Sequence, residues 1–325
     1  MASKKLTIGF DTSNYTTSAA VFDIESGEML ANLKMPLPVA KGERGLRQSE
    51  ALFAHVKNLP EICERLRGSF KYEQICAIGY SAYPRDEAGS YMPCFLAGKS
   101  AAYSLASAGA PIYAFSHQAG HVMAALWHSG RRELLDSPFL AFHVSGGTTE
   151  LLYVKPEDSG FDIELIGATA DINAGQLVDR VGVMLGLSFP CGPALEELSK
   201  GFDHTKRKCT LTQKTVVKGI TCNLSGAENK ASKALADGVD KSEIAFFVLD
   251  FIARNLDAMT LAAKEKYGEM PVLYAGGVMS NGYIKSYLAS RHDAAFAPPV
   301  YSADNACGTA ILAAQKYTKD KNICI

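Results

Sequence analysis

The chain has 325 residues, 47% of them hydrophobic and 21% charged, which is typical of soluble globular proteins and leaves room for about two domains. Its net charge of −1 excludes a global basic field for nucleic acid, and its short basic run, residues 204–208, is interpreted as a solvated loop. It contains no C-x-x-C pair, no signal-peptide core and no apolar run of membrane length, so we expect a cytoplasmic protein with reduced cysteines, no zinc ribbon and no membrane contact.

The first predicted element is a β-hairpin over residues 6–23, in which two β-rich runs flank a polar turn. Its first strand ends in Asp11. Five hydroxyl side chains follow, namely Thr12, Ser13, Thr16, Thr17 and Ser18. Helical spacing over residues 49–68 predicts a helix that Pro60 can kink or split. His55 lies in this helix and is only a weak catalytic candidate, because a helix-borne histidine is more often structural.

A pair of histidines marks the next region. The pattern before it predicts two buried strands and a helix of small residues, at residues 75–81, 111–115 and 94–108. A further helix opens at residue 116, and His117 and His121 share one face of it because they are four residues apart. This spacing allows two imidazoles to bind one metal ion, and two surface histidines are the alternative. The absence of H-E-x-x-H argues against a zinc protease.

Residues 139–154 predict a second hairpin, with apolar strands around the turn Ser145-Gly146-Gly147-Thr148-Thr149. The glycines let a ligand approach the backbone, and the N–H groups and hydroxyls of the turn can bind phosphate oxygens. An ordinary glycine-rich hairpin is the alternative. Because this hairpin repeats the plan of the first about one domain length later, the sequence favours a duplicated α/β nucleotide-binding fold whose two turns clamp a polyphosphate.

A polar cluster follows the second hairpin. Asp171, Asn173, Asp179 and Arg180 interrupt an otherwise helical stretch, which LSFPCGP then breaks. Such a cluster beside a Gly-Pro turn suits a ribose or sugar contact. A surface helix capped by Asp171 is the alternative, and both interpretations stay open.

The C-terminal third combines β-like and helical patterns. Residues 204–226 are polar and β-like, and amphipathic helices follow at about 226–236 and 241–267. A buried strand then leads through Gly276-Gly277, where a flat ring or a phosphate can lie against the backbone.

Two polar residues close the pattern at helix starts. Asn281 either caps the helix that follows it or touches the ligand. Asp304 precedes the last helix, and it is either an N-cap or the third metal ligand beside the two histidines.

Taken together, these motifs resemble the transferase family that makes threonylcarbamoyladenosine in tRNA, once called the glycoprotease or O-sialoglycoprotein endopeptidase family. The resemblance covers nearly the whole chain, and its motifs occur in the family's order at compatible spacing: H-x-x-x-H, VSGGTTEL, DINAGQLVDR with LGLSFPCGP, AGGVMSN and SADNA. It implies the actin-like, sugar-kinase-like α/β fold with two lobes around a nucleotide cleft. We expect lobe I to comprise residues 1–115, completed by 305–325, and lobe II to comprise 116–304.

The resemblance also implies a site. His117, His121 and Asp304 are the expected ligands of iron or zinc, and Asp11 is the expected catalytic residue. The expected nucleotide or adenylate contacts are Ser145, Gly146, Gly147, Asp179, Gly192, Gly276, Gly277 and Asn281. The implied chemistry is attack of an adenosine amine on an activated carbamoyl group, with AMP leaving. The expected cofactors are ATP or an acyl-adenylate, with Mg²⁺ in addition. The expected partners are tRNA and proteins of the tRNA-modification pathway.

The motif turns depart from the family's pattern. Where the family carries acids in a turn like ETS-C-D-E-T, this chain follows Asp11 with Asn14-Tyr15-Thr16, and the usual Asp-Asp is Asp171-Ile172. Two alternatives to the tRNA enzyme are therefore open. One is a carbamoyl transferase or ATP-using enzyme with a small-molecule acceptor, and the other is a non-catalytic nucleotide-binding partner of a true transferase.

Overall fold

A computed structural model of the protein describes residues 5–38, 46–68, 70–106, 109–158, 160–302 and 305–322. The chain divides into two units. The first takes Met1–Arg132, Lys155–Ile163 and Val300–Ile325, and the second takes Glu133–Val154 and Glu164–Pro299. The predicted lobes divide the chain at other residues and stay a prediction.

The first unit is built on a five-stranded sheet of order β3-β2-β1-β4-β5. Its strands are β1 (Leu6–Thr12), β2 (Thr16–Asp23), β3 (Glu28–Pro36), β4 (Ile75–Tyr83) and β5 (Ile112–Ser116). Its main helices are α1 (Gln48–Leu66), α2 (Phe95–Leu105), α3 (His117–His128) and α10 (Cys307–Asp320).

The side chains of β1 alternate between the two faces of this sheet, as the strand period of two requires. Leu6, Ile8 and Phe10 pack in the core cluster that also contains residues of α1 and α2. On the other face Thr7 donates a hydrogen bond to the Ala310 carbonyl oxygen of α10, 2.8 Å away. The alternation therefore directs the odd-numbered residues of β1 toward the α10 side of the sheet.

The second unit repeats this plan with a sheet of order β12-β11-β6-β7-β8. Its strands are β6 (Phe139–Val144), β7 (Thr149–Glu157), β8 (Gly160–Ala168), β11 (Val272–Ala275) and β12 (Ala294–Phe296). The end of β7 and the start of β8, Lys155–Ile163, count with the first unit. Its helices are α4 (Ala174–Met184), α5 (Gly192–Ser199), α6 (Ser225–Ala236), α7 (Lys241–Tyr267) and α8 (Gly282–Ala289). The two-residue strands β9 (Val217–Lys218) and β10 (Thr221–Cys222) form a separate small hairpin, and the short α9 (Pro299–Ser302) leads toward α10.

The strand pairing confirms the duplication that the two hairpins predict. In the first sheet, β1 pairs antiparallel with β2 and parallel with β4. In the second, β6 pairs antiparallel with β7 and parallel with β11. A further parallel strand extends each sheet, β5 beside β4 and β12 beside β11.

Some predicted details differ. Helix α1 continues through Pro60 without a break. Pro60 has no N–H for the carbonyl oxygen of Val56, but both residues lie on the exposed side of the helix, where water can hydrogen-bond that oxygen. Within residues 204–226 the strands are β9 and β10 alone. Before β9, the side chains of Glu243 and Asn255 accept hydrogen bonds from the backbone N–H groups of Thr210 and Val216. The short strand β12 and most of β8 were not predicted.

The seven cysteines that the structure describes form no disulfide. None of the described helices is long and apolar enough to cross a membrane.

Candidate functional site

The two histidines of the predicted metal site lie at the N-terminus of α3. Ser116 begins this helix, because its Oγ accepts a hydrogen bond from the backbone N–H of Ala119 at 3.1 Å. His117 and His121 therefore fall one turn apart on one face. Their Nε2 atoms are 3.0 Å apart, and their ring centroids are 4.3 Å apart.

Asp11 lies behind His117. Its Oδ2 is 2.6 Å from His117 Nδ1, and its side chain is 1% exposed. Ser81 donates to the same oxygen at 2.6 Å, and the backbone N–H of Ser13 donates to Oδ1 at 3.0 Å. Because an ionised carboxylate can only accept, the proton of His117 sits on Nδ1, and its Nε2 lone pair points toward His121.

This arrangement fits the donor set of a metal ion. Two imidazole nitrogens bound at about 2.1 Å to one metal lie about 3.0–3.4 Å apart for bond angles between a right angle and the tetrahedral angle. Asp11 supplies the carboxylate that metal-bound histidines usually contact through their other nitrogen. Asp304, the predicted third ligand, lies outside the described residues. Among the residues that are described, no three His, Cys, Asp or Glu side chains form a metal-binding group, so the predicted metal site stays a prediction.

A cavity of about 290 Å³ lies in the second unit. It is close to the lower end of the ~300–1,000 Å³ range of small-molecule sites. Most of its wall is glycine, proline or apolar, and two acidic and two neutral polar side chains enter it. The lining residues are Gly146, Gly175, Val178, Asp179, Pro190, Gly192, Pro193, Glu196, Leu249, Gly277, Val278, Ser280 and Asn281.

The Ser-Gly-Gly turn contributes backbone rather than hydroxyl groups to this cavity. Of its three predicted contacts only Gly146 lines the wall. The Ser145 hydroxyl accepts hydrogen bonds from the N–H groups of Gly147 and Thr148, at 3.3 and 3.1 Å. A Cβ on Gly175 would lie 2.6 Å from the Gly146 nitrogen, so helix α4 packs directly against the turn.

The predicted Gly276-Gly277 pair divides into two roles. Gly276 has a φ of +105°, and a Cβ there would lie 2.1 Å from the Val144 carbonyl oxygen, so this glycine lets β11 end against β6. Gly277 lines the cavity, and nothing lies within 4 Å of the position its Cβ would take. Asn281 caps α8, as one of its predicted alternatives requires, because its Oδ1 accepts from the Ile284 N–H at 3.0 Å. The residue also lines the cavity, and its contact with a ligand stays a prediction.

Two carboxylates enter the cavity, and the backbone holds each by one oxygen. Asp179 Oδ1 accepts from the Cys191 N–H at 2.8 Å, and Glu196 Oε1 accepts from the Gly282 N–H at 2.9 Å. Within the described residues, the second oxygen of each carboxylate has no hydrogen-bond partner. The sequence predicted Asp179 and Gly192 as contacts but not Glu196, whose only signal is its place four residues after the Gly-Pro turn.

Asp171 does not cap the helix that follows it. Asn173 begins α4 in a capping box with Gln176, whereas Asp171 accepts hydrogen bonds from the N–H groups of Leu224 and Ser225 at the start of α6, at 2.8 and 3.0 Å. Burial raises the pKa of Asp171, but these bonds and one from the Ser225 hydroxyl outweigh it and hold the pKa well below its usual range. The carboxylate thus fastens α6 beside α4.

The first hairpin turn uses its hydroxyls internally. Thr12 Oγ1 donates to the Cys94 carbonyl oxygen, and Ser18 Oγ donates to that of Asp11. Thr17 Oγ1 is 2.8 Å from Nδ1 of His55, which is fully buried. Burial lowers the pKa of His55, as expected for a structural histidine. The polyphosphate clamp between the two predicted turns stays a prediction.

Three comparisons relate the chain to known proteins. The family model for tRNA N6-adenosine threonylcarbamoyltransferase matches residues 39–311. The enzyme of that name from Thermosipho africanus is 28% identical over 97% of this chain and 95% of its own length, and that from Streptococcus suis is 29% identical over 98% and 95%. Among solved structures, component A of the Acidaminococcus fermentans (R)-2-hydroxyglutaryl-CoA dehydratase superposes with a TM-score of 0.55 at 16% identity, over 97% of this chain and 99% of its own. The structural match supports the fold alone and confirms the predicted actin-like, sugar-kinase-like class.

Proposed function

The chain belongs to the tRNA N6-adenosine threonylcarbamoyltransferase family, and on that premise we propose that it transfers a threonylcarbamoyl group from an adenylate to N6 of an adenosine in tRNA. The observation that carries the proposal is that the family match, residues 39–311, runs through both the imidazole pair and the entire lining of the cavity. The transfer forms a bond between N6 and the carbamoyl carbon. The bond from that carbon to the AMP phosphate oxygen breaks, AMP leaves with the electron pair, and N6 loses a proton.

The cavity of the second unit binds the nucleoside of the adenylate in this proposal. The outer oxygens of Asp179 and Glu196 accept hydrogen bonds from the two ribose hydroxyls. Val178 and Leu249 offer apolar surface to the base, and Gly277 lets a ring lie against the backbone. The backbone amides that hold both carboxylates fix them before the ligand arrives, which lowers the entropic cost of binding.

In the first unit, His117 and His121 would hold iron or zinc together with Asp304. When bound, such an ion acts as a Lewis acid that polarises a carbonyl oxygen. Asp11 keeps the His117 proton on Nδ1, and Ser81 and the Ser13 N–H hold the carboxylate in place. Asp11 is thus a positioning residue in this proposal.

The remaining requirements follow from the family. ATP or an acyl-adenylate supplies the nucleotide, with Mg²⁺ as its counterion, and tRNA supplies the acceptor. Proteins of the tRNA-modification pathway would act as partners, and the cytoplasm would be the site of action.

A transfer assay tests the proposal. The purified protein receives threonylcarbamoyl-adenylate and unmodified tRNA, and mass spectrometry counts the modified adenosine. We expect product from the intact protein and its loss in His121→Ala. Product formation by His121→Ala at the wild-type rate would remove the imidazole pair from the mechanism.

The first turn favours a second candidate, carbamoyl transfer to a small-molecule acceptor. Tyr15 is 47% exposed at a position where the family pattern has an acid, and the neighbouring Asn14 accepts a hydrogen bond from Gln48 at 2.6 Å. A turn without these acids presents different groups to an acceptor. Consumption of the adenylate in the presence of small amines, with no modified tRNA, would support this candidate.

A further inference from the structure

We propose that an exposed segment of the second unit, here called the basic strip (residues 204–218), binds the phosphate backbone of RNA. The proposal deepens the proposed function and rests on it, since it names the surface that receives the tRNA substrate. Three lysines of the strip, Lys208, Lys214 and Lys218, carry the argument.

The basic strip differs from the rest of the chain in charge. It contains Lys206, Arg207, Lys208, Lys214 and Lys218 and no acidic residue, in a protein whose net charge is −1. Such a cluster can produce a local positive potential in a chain whose net charge is not positive.

Hydrogen bonds to helix α7 fix the course of the strip. Thr210 donates from its N–H and its hydroxyl to Glu243 of α7, at 2.5 and 2.6 Å. Arg254 donates to the Gln213 carbonyl oxygen at 2.8 Å, and the Val216 N–H donates to the side chain of Asn255 at 3.0 Å. A surface fixed in this way loses little conformational entropy when it binds a partner.

The side chains of the strip divide between core and solvent. Cys209, Leu211 and Val217 pack against the hydrophobic core of the second unit. Lys208, Lys214 and Lys218 are exposed, and within the described part of the chain they make no ion pair or hydrogen bond. The segment from Lys208 to Lys218 spans at most roughly 33 Å when extended, so the three charges can reach separate phosphates of one RNA strand.

The acids beside the strip contact groups other than these three lysines, and Asp203 pairs with Lys206 at 2.9 Å. Glu243 accepts both hydrogen bonds from Thr210, Asp250 pairs with Arg254 at 2.7 Å, and Glu228 pairs with Arg180 at 3.1 Å. Asp240 caps α7 through the Ser242 N–H. The strip therefore presents unpaired positive charge to solvent, which suits a polyanion.

The test measures binding of unmodified tRNA to the full-length protein by fluorescence anisotropy over a series of KCl concentrations. The variant carries Lys208→Gln, Lys214→Gln and Lys218→Gln together. Each lost phosphate contact lowers the slope of log K against log [salt] by about 0.7–0.9. We expect the slope to fall by about 2–3 and affinity near 0.1 M KCl to fall by roughly 10–100-fold.

A matched control carries Lys57→Gln, Lys99→Gln and Lys321→Gln, three exposed lysines of the first unit. It has the same net charge as the variant but keeps every lysine of the basic strip, so it should bind tRNA like the wild type. Circular dichroism of both proteins checks that each is folded.

Three outcomes would overturn the inference. Equal loss of affinity in variant and control would mean that only net charge matters, and an unchanged slope in the variant would mean that RNA binds elsewhere. No tRNA binding by the wild type at any salt would also overturn it. The transfer assay separates these failures from failure of the proposed function, because a wild type that modifies tRNA keeps its function in every case.

Discussion

The assignment of Asp179 and Glu196 to a ribose gives the sharpest prediction about the cavity. Asp179→Asn and Glu196→Gln keep an oxygen for the N–H groups of Cys191 and Gly282, which the native carboxylates accept at 2.8 and 2.9 Å. The fold around the cavity should therefore survive. Each variant loses the negative charge on the acceptor of one ribose hydroxyl.

The expected magnitude follows from the energy of that contact. A hydrogen bond to a charged group contributes about 1.5–3 kcal/mol, and about 1.4 kcal/mol corresponds to a tenfold change in affinity. Each variant should therefore bind AMP roughly 10–100-fold more weakly than the wild type. Isothermal titration calorimetry with AMP and with 2′,3′-dideoxy-AMP measures both values. The wild type should bind dideoxy-AMP more weakly than AMP. The variants should bind dideoxy-AMP about as weakly as the wild type does, since this ligand has no hydroxyls for the carboxylates to accept from.

A neighbouring carboxylate provides the control. Glu197 is exposed and pairs with Lys200 at 2.6 Å, outside the cavity lining. Glu197→Gln should bind AMP like the wild type. If Asp179→Asn and Glu196→Gln weaken AMP and dideoxy-AMP by the same factor, the carboxylates do not contact the ribose and the reasoning is refuted.

Three further predictions concern the fold, the imidazole pair and pH. Gly276→Ala should lower the free energy of unfolding, measured in urea, by more than about 2 kcal/mol, because Gly276 has a positive φ and contacts β6. Gly277→Ala should change the free energy of unfolding little and should weaken AMP binding. Equal loss of stability in the two variants would contradict this. Asp11→Asn should weaken Zn²⁺ binding by about 10–100-fold in a metal titration, and unchanged affinity would remove its positioning role. Burial lowers the pKa of His292, although hydrogen bonding to Asp257 opposes this shift. Below about pH 6.5 the unfolded state therefore binds more protons than the folded state, so the free energy of unfolding should fall on acidification. In His292→Gln this fall should be less steep.

Local patterns in the sequence predicted most of the fold. Helix α7 is predicted at 241–267 and observed at Lys241–Tyr267, because Asp240 caps its start and Gly268, with φ of +95°, ends it. The strand β12 escapes prediction because three residues carry no periodicity. The cap at Asn281 was predicted and is observed, and the same residue also lines the cavity.

The site was harder to predict, because its contacts join distant parts of the chain. Asp171 was open as a cap or a ribose contact, and it holds the start of α6, 53 residues later. Glu196 accepts a hydrogen bond from the Gly282 N–H at the start of α8, 86 residues later, which no local pattern records. Ser145 carries the expected residue type, yet its hydroxyl serves its own turn.

The contact between Asp11 and His117 shows how strand geometry connects such distant residues. Asp11 shares its side of β1 with Thr7 and Gly9, and a Cβ at Gly9 would lie 2.5 Å from the Ala306 carbonyl oxygen beside α10. Helix α3 packs against α10 just as tightly, because a Cβ on Gly308 would overlap the carbonyl group of Gly120. The small residues therefore bring α3 close enough for a short carboxylate to reach an imidazole. Inserting one residue into β1 before Asp11 would turn the carboxylate to the opposite face, toward the core beneath α1 and α2, and His117 would lose the group that sets its tautomer.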